Sequence, residues 1–169
     1  ITSKTDFSGL AKQVVTAFGY NSLGNQTNMT ISPSGMTSRT SSQAFDPKGR
    51  FVVTTTNPLN QTITYVNDVR WGQPTSVKGI SNLQIVYTYD AFGRLLTSYD
   101  PQKGITVSIG YTWDINAPAG TIHKKTVTHP GKPDEVIYYD IMDRQRRKDV
   151  QVFGNAWSSQ YTTYDSRGN

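Results

Sequence analysis

Ile85-Val86-Tyr87-Thr88-Tyr89-Asp90-Ala91-Phe92-Gly93-Arg94 is the stretch whose reading decides the fold. Up to Tyr89 it alternates, so that the positions one, three and five before the Asp share one face of a strand. From Asp90 onward it is turn chemistry. A carboxylate at the first turn position accepts backbone N–H bonds two residues on, and Gly supplies the positive φ that ends the turn. The stretch predicts a strand running into a hairpin.

Outward from Asp90, the same pattern recurs along the chain. Clear copies are Tyr20-Asn21-Ser22-Leu23-Gly24, Phe45-Asp46-Pro47-Lys48-Gly49-Arg50 and Tyr164-Asp165-Ser166-Arg167-Gly168, with weaker ones at Asn67-Asp68, Trp113-Asp114 and Tyr139-Asp140. From Asn21 to Asp165 the spacings are 25, 22, 22, 24, 26 and 25 residues, a steady period over seven copies. Minor turns of similar chemistry fall between them, at Asp6 to Gly9, Ser32 to Gly35, Asn57 to Asn60, Asp100 to Gly104 and His129 to Lys132. Each repeat is therefore two strands and two turns. Residues 1–169 are expected to form one all-β strip of repeated antiparallel β-hairpins, about seven repeats of 22–26 residues and about fourteen strands, with helix nearly absent.

Composition agrees with this reading. The chain has 169 residues, 35% hydrophobic and 17% charged, one Glu, six Leu and 22 Thr. Strong helix formers are scarce and β-branched and aromatic residues plentiful, which excludes helical bundles and α/β enzymes. At 11% aromatic the chain is too rich in rings for disorder. The position before the turn acid is aromatic in six of seven copies: Tyr20, Phe45, Tyr89, Trp113, Tyr139 and Tyr164. Aromatic ladders on one face, with Thr, Ser and Gln on the other, are expected to substitute for a thick core. Cysteine is absent, which excludes disulfides, thiolate metal sites and a cysteine nucleophile. No apolar run approaches membrane-spanning length, so no membrane insertion is expected. The first residues carry no initiator Met and no signal-like segment, and the strip is expected to be a fragment of a longer chain.

Tyr-Asp-x-x-Gly-Arg or Asn at a period in the low twenties, with Asp-Pro-x-x-Gly between copies, resembles the YD-repeat or rearrangement-hotspot (RHS) family. Tyr89 to Leu95 and Phe45 to Phe51 carry the likeness best, and it runs over essentially the whole chain. The resemblance implies a β-hairpin strip that winds into a hollow shell, as in bacterial polymorphic toxins, where it encloses a cytotoxic C-terminal segment, and in teneurins. It also implies a secreted or cell-surface bacterial protein. The partners it implies are flanking repeats of the same chain, an enclosed toxin domain and a secretion or delivery component. The chain departs from the pattern at Ala117 and Asp143, where Gly is expected, and at Trp71, where Gly72 is displaced by one. Nothing resembles the family's self-cleaving site or any toxin domain, so none of that chemistry is carried over.

The residues themselves argue against an enzyme. Eight of the twelve acids occupy first-turn positions, His129 sits in a minor turn, and His123 has no catalytic signature around it. The Asp residues lack the spacing of a calcium loop and each Gly comes singly within a hairpin, so neither metal nor cofactor is expected. A net charge of +5 permits an anionic partner, but the one dense basic cluster, Arg144, Arg146, Arg147 and Lys148, is flanked by Asp140, Asp143 and Asp149, and no nucleic-acid partner is expected. Two function classes remain. One is a structural shell segment around a toxic cargo; the other is an adhesive or carbohydrate-binding module that uses exposed Tyr and Trp as sugar platforms. Fourteen strands at about 4.8 Å span roughly 65 Å, about half the wall needed around a small domain, so both edge strands are expected to be covered by flanking repeats or a partner.

Overall fold

The computed structural model describes residues 2–6, 9, 13–113, 118–165 and 167. Asp114, Ala117 and Gly168, assigned above to major turns, lie outside the described residues. The fold is all-β, with fourteen antiparallel strands and a single 3-10 turn, Phe153–Asn155, among the described residues. The chain divides into two compact units, Ile1–Ile85 and Val86–Asn169.

The first unit holds β1 (Ser3–Asp6), β2 (Val14–Tyr20), β3 (Gln26–Pro33), β4 (Arg39–Phe45), β5 (Val52–Thr56), β6 (Thr62–Asn67) and β7 (Pro74–Lys78). Each of these ladders with its sequence neighbours. The second holds β8 (Gln84–Tyr89, whose first residues belong to the first unit), β9 (Leu95–Asp100), β10 (Ile105–Trp113), β11 (His123–Thr128), β12 (Glu135–Tyr139), β13 (Gln145–Gln151) and β14 (Trp157–Tyr161). The same neighbour-to-neighbour pairing holds there. β-Branched residues fill these strands because they fit a pleated, half-buried surface. Their hydroxyls pair across it: Thr30 with Thr40 at 2.9 Å, Thr56 with Thr62 at 3.0 Å and Thr88 with Thr97 at 2.6 Å. Such cross-strand pairs contribute about 0.2–1 kcal/mol each.

Among the described residues no hydrophobic side chain is buried; the buried side chains are two carboxylates, Asp140 at 6% and Asp149 at 5% exposure. Backbone ladders and turn chemistry hold the sheet in place of an apolar core.

The major hairpins share one irregularity. Register shifts by one residue just before the last residue of the incoming strand, at Gly19/Tyr20, Ala44/Phe45, Val66/Asn67, Thr88/Tyr89 and Tyr138/Tyr139. The returning strand carries the extra residue, a β-bulge that increases local twist. Asn21, Asp90 and Asp140 close three-residue loops, in which the residue three after the acid donates its N–H to the acid's carbonyl at 3.0–3.1 Å. That residue has positive φ: 82° at Gly24, 78° at Gly93 and 60° at Asp143. This is a type I turn ended by a left-handed residue. At Asp143 the departure from Gly leaves the backbone unchanged, because Asp tolerates the left-handed region. Loops at Asp46 and Asp68 are one residue longer, which accommodates the displaced Gly72, whose N–H reaches the Asp68 carbonyl at 2.8 Å.

Two minor turns were not anticipated. One is Gly79 to Asn82, where Asn82 has φ 60°, and the other is Val152 to Ala156 around the 3-10 turn, where Gly154 has φ 73° and Asn155 has φ 61°. Both complete the alternation of major and minor turns; neither carries the Asp or Pro signal of the others.

Candidate functional site

The turn carboxylates face inward on their own hairpins. Asp90 Oδ1 accepts the N–H groups of Phe92 and Arg94, each at 2.9 Å, while Oδ2 takes Arg94 Nε at 2.6 Å. Asp140 repeats this with Met142 and Arg144, and Asp46 with Arg50 and Phe51. Asn21 makes the backbone half of the pattern through Leu23 and Asn25, and Asp165 accepts from Arg167 at 2.9 Å. The arginine four residues after the Asp thus clamps the carboxylate that closes its own turn.

These contacts set the acidities. The Phe51 N–H bond is the largest influence and lowers the Asp46 pKa; burial opposes it, and the Arg50 N–H and guanidinium bring the net shift down. The Arg70 side chain and N–H hold Asp68 down to about 2. At Asp90 and Asp140 burial pushes upward, but the N–H and guanidinium of Arg94 and Arg144 outweigh it and both carboxyls stay low. A carboxylate so committed is a poor general base or metal ligand. No group of three His, Cys, Asp or Glu that could hold a metal occurs among the described residues.

The position before each turn acid has a second task. Tyr164 donates its hydroxyl to the Gln145 carbonyl at 2.9 Å, and Asn67 donates Nδ2 to the Val52 carbonyl at 2.8 Å. Gln145 and Val52 occupy the same repeat position, opposite Tyr139 and Phe45 on the preceding hairpins. The non-aromatic Asn67 therefore makes the tie from one hairpin to the one before it that a tyrosine makes elsewhere. Tyr20 and Tyr89 end β2 and β8, paired with Gln26 and Leu95.

Among the described residues, rings of successive major turns stand apart, and the ring contacts seen run through the strand between them. They are two strands apart, about 9–10 Å, because a returning strand lies between them. Cations and one imidazole fill the interval: Arg94 lies 4.5 Å from the Tyr111 ring centroid and Arg144 4.7 Å from that of Tyr164. His123 stands between Trp113 and Tyr139, its register partners on either side. It stacks on Tyr139 at 5.0 Å and 9° and meets Trp113 edge-on at 5.8 Å. The basic cluster is likewise internally engaged: Arg144 on Asp140, Arg147 on Asp149 at 2.6 Å, Lys148 on Glu135 at 2.9 Å, and Arg146 over Tyr164.

A cleft of about 470 Å³ lies over β10, β11 and β12 in the second unit, and another of about 570 Å³ lies beside Gly131 to Pro133 and Val150 to Asn155. In the first of these, Trp113, His123 and Tyr139 form one row and Tyr111 and Lys125 the next, two residues along the same strands; Arg94 and Asp143 line it from the turns. Asp143 Oδ1 lies 3.1 Å from His123 Nε2, with the rest of the carboxylate in solvent. Burial raises the Tyr139 and Tyr111 phenol pKa values, with Asp143 adding to it at Tyr139. Trp113 and Tyr139 were singled out as ladder residues; His123, Lys125, Arg94 and Asp143 were not. The available signal was register, since closing the β10–β11 hairpin brings His123 opposite Trp113. Among the described residues no helix is long and apolar enough to cross a membrane. No protein-family profile matches the chain, and no curated protein matches it in sequence.

Proposed function

We propose that the chain is a non-catalytic wall segment of a YD/RHS-type β-shell, enclosing a C-terminal toxin or effector in a secreted bacterial protein. One observation carries the reading: fourteen ladder-bonded strands with no buried hydrophobic side chain among the described residues. A binding domain or enzyme of this length ordinarily folds around a core of its own. A layer held by turn clamps and hairpin-to-hairpin ties has the construction of a wall. Commitment of the turn carboxylates to their own backbones supports the absence of catalysis. The terminal strands β1 and β14 each ladder on one side among the described residues, which suits continuation by flanking repeats.

The test is limited proteolysis of the natural protein in which these repeats occur. The segment following the repeats should resist trypsin while the sheet is folded and be cleaved once urea unfolds it. Cleavage at the rate of the isolated segment refutes the shell. The alternative, a surface adhesive or carbohydrate-binding module, is favoured by the aromatic cleft over β10, β11 and β12.

A further inference from the structure

We infer that the cleft between the β3–β4 and β5–β6 turns of the first unit binds an alkyl carboxylate, an amphiphile with one anionic head and an unbranched apolar tail. The cleft has a volume of about 890 Å³, toward the upper end of what small-ligand sites occupy. One bank is the turn after β3, with Pro33 and Met36, and the other is the turn after β5, with Leu59. Three features define the ligand.

The first is a cation without a counter-charge. Arg39, the first residue of β4, lines the cleft opposite Ile31 of β3. Arg50, Arg70, Arg94 and Arg144 each hold the aspartate of their own turn. The turn that precedes Arg39, Pro33 to Ser38, contains no acid, and the Arg39 guanidinium has neither an ion pair nor a side-chain hydrogen bond among the described residues. Its planar fork of N–H donors matches a single carboxylate, which can take two parallel bonds.

The second is apolar surface on both banks. Met36 is 70% and Leu59 76% exposed, and half-buried Ile31 and Pro33 continue the apolar lining between them. A chain lying between the banks removes that area from water, and the unbranched Met36 side chain adapts to its course.

The third is the state of the polar groups beside these banks. Ser38 Oγ is hydrogen-bonded to Ser32 Oγ at 2.8 Å. Asn57 donates Nδ2 to Gln61 at 2.7 Å, and its Oδ1 accepts the N–H groups of Leu59 and Gln61. A ligand rich in hydroxyls or phosphates would find few partners and would leave Met36 and Leu59 in water. A neutral hydrocarbon would leave Arg39 without a counter-charge. One carboxylate on an alkyl chain satisfies both, whether or not the sheet encloses a cargo.

Isothermal titration of the full 169-residue chain with decanoate, octanoate and decyltrimethylammonium, each below the concentration at which it forms micelles, tests the proposal. Decanoate should bind saturably at about millimolar Kd. Octanoate, shorter by two CH₂ groups, should bind about four- to fifteenfold more weakly, according to how far the chain is covered. Decyltrimethylammonium, with the same tail and the opposite charge, should bind at least about tenfold more weakly than decanoate. Arg39→Gln should remove the preference for the carboxylate head and Arg39→Lys should keep part of it. Lys78→Gln, which removes the same charge from an exposed position elsewhere in the first unit, should change nothing. Met36→Ser and Leu59→Ser, at exposed turn positions whose replacement spares the fold, should together weaken decanoate at least about tenfold. Failure of decanoate to saturate, octanoate binding as tightly as decanoate, or a head-group preference that survives Arg39→Gln overturns the proposal. So does an apolar tetrapeptide with a free C-terminal carboxylate that binds more tightly than decanoate, or self-association of the chain that Leu59→Ser abolishes, which would give the cleft to a second copy.

Discussion

Gly49 and Gly104 have nearly the same backbone, φ 67° and 65°, but different surroundings, and the pair isolates what a turn contributes beyond its own conformation. Adding a Cβ at Gly104 meets nothing within 4 Å, so Gly104→Ala costs only the left-handed strain, about 1–2 kcal/mol. At Gly49 the added Cβ collides with Leu23 Cδ1 and lies 2.8 Å from Asn25 Nδ2. Leu23 is 61% exposed and can swing away cheaply. Asn25 cannot move freely, because its Nδ2 donates to the Gly49 carbonyl at 2.7 Å and ties one major turn to the next. Losing that bond adds about 0.5–1.5 kcal/mol, so Gly49→Ala should cost about 1.5–3.5 kcal/mol in total. Urea unfolding followed by circular dichroism measures both, with the denaturant slope expected to stay constant. In an Asn25→Ala background the excess at Gly49 should vanish, and Gly49→Ala should then cost no more than Gly104→Ala. Equal costs for the two glycines in the wild type, or an excess that persists without Asn25, would refute the account of turn-to-turn ties.

The turn carboxylates predict the acid response. Their pKa values lie below the ordinary value of about 4, so the unfolded chain binds more protons, and stability is fully present above about pH 4 and lost as pH falls through the folded values. Thermal unfolding should be nearly flat from pH 7 to about pH 5 and fall steeply toward pH 2; a midpoint independent of pH in that window would contradict it. Asp90→Asn keeps the acceptor for the Phe92 and Arg94 N–H groups, as Asn21 does in its own turn, so it should lower Tm less than Asp90→Ala, which should lower it by several degrees. Tyr164→Phe removes one hydroxyl and strands the Gln145 carbonyl, and should destabilise by about 1 kcal/mol, whereas Tyr161→Phe, with an exposed hydroxyl, should be neutral in the same assay.

The strand and turn plan was legible in the sequence because it is local chemistry. Tyr89-Asp90-Ala91-Phe92-Gly93-Arg94 specifies its own hairpin, and the period repeats it. What was not legible depends on register between hairpins. The aromatic residues read as a ladder, since each stands one before its Asp, but the intervening strand separates them and arginine or His123 fills the gap. The minor turns at Gly79 to Asn82 and Val152 to Ala156 escaped because neither carries the Asp or Pro that marks the other turns, although Asn82, Gly154 and Asn155 take left-handed positions in them. His123 looked inert because nothing beside it in sequence is catalytic; its significance lies across two ladders.

This division between local and inter-hairpin chemistry explains how one repeat plan accommodates different surfaces. Turn geometry is set by Asp, Gly and the clamping Arg, all within five residues, and the residue before the acid can add a tie to the preceding hairpin. Either an amide or a phenol satisfies that tie, as Asn67 and Tyr164 show. Trp113 needs no carbonyl at all, since His123 packs beside it instead. The cleft over β10, β11 and β12 is lined by Trp113 and Lys125 together with Arg94, Tyr111, His123, Tyr139 and Asp143. A sheet built this way can change the residue before the acid while keeping the bonds of its turns, and a variant at Trp113 that keeps its unfolding midpoint is the behaviour this construction requires.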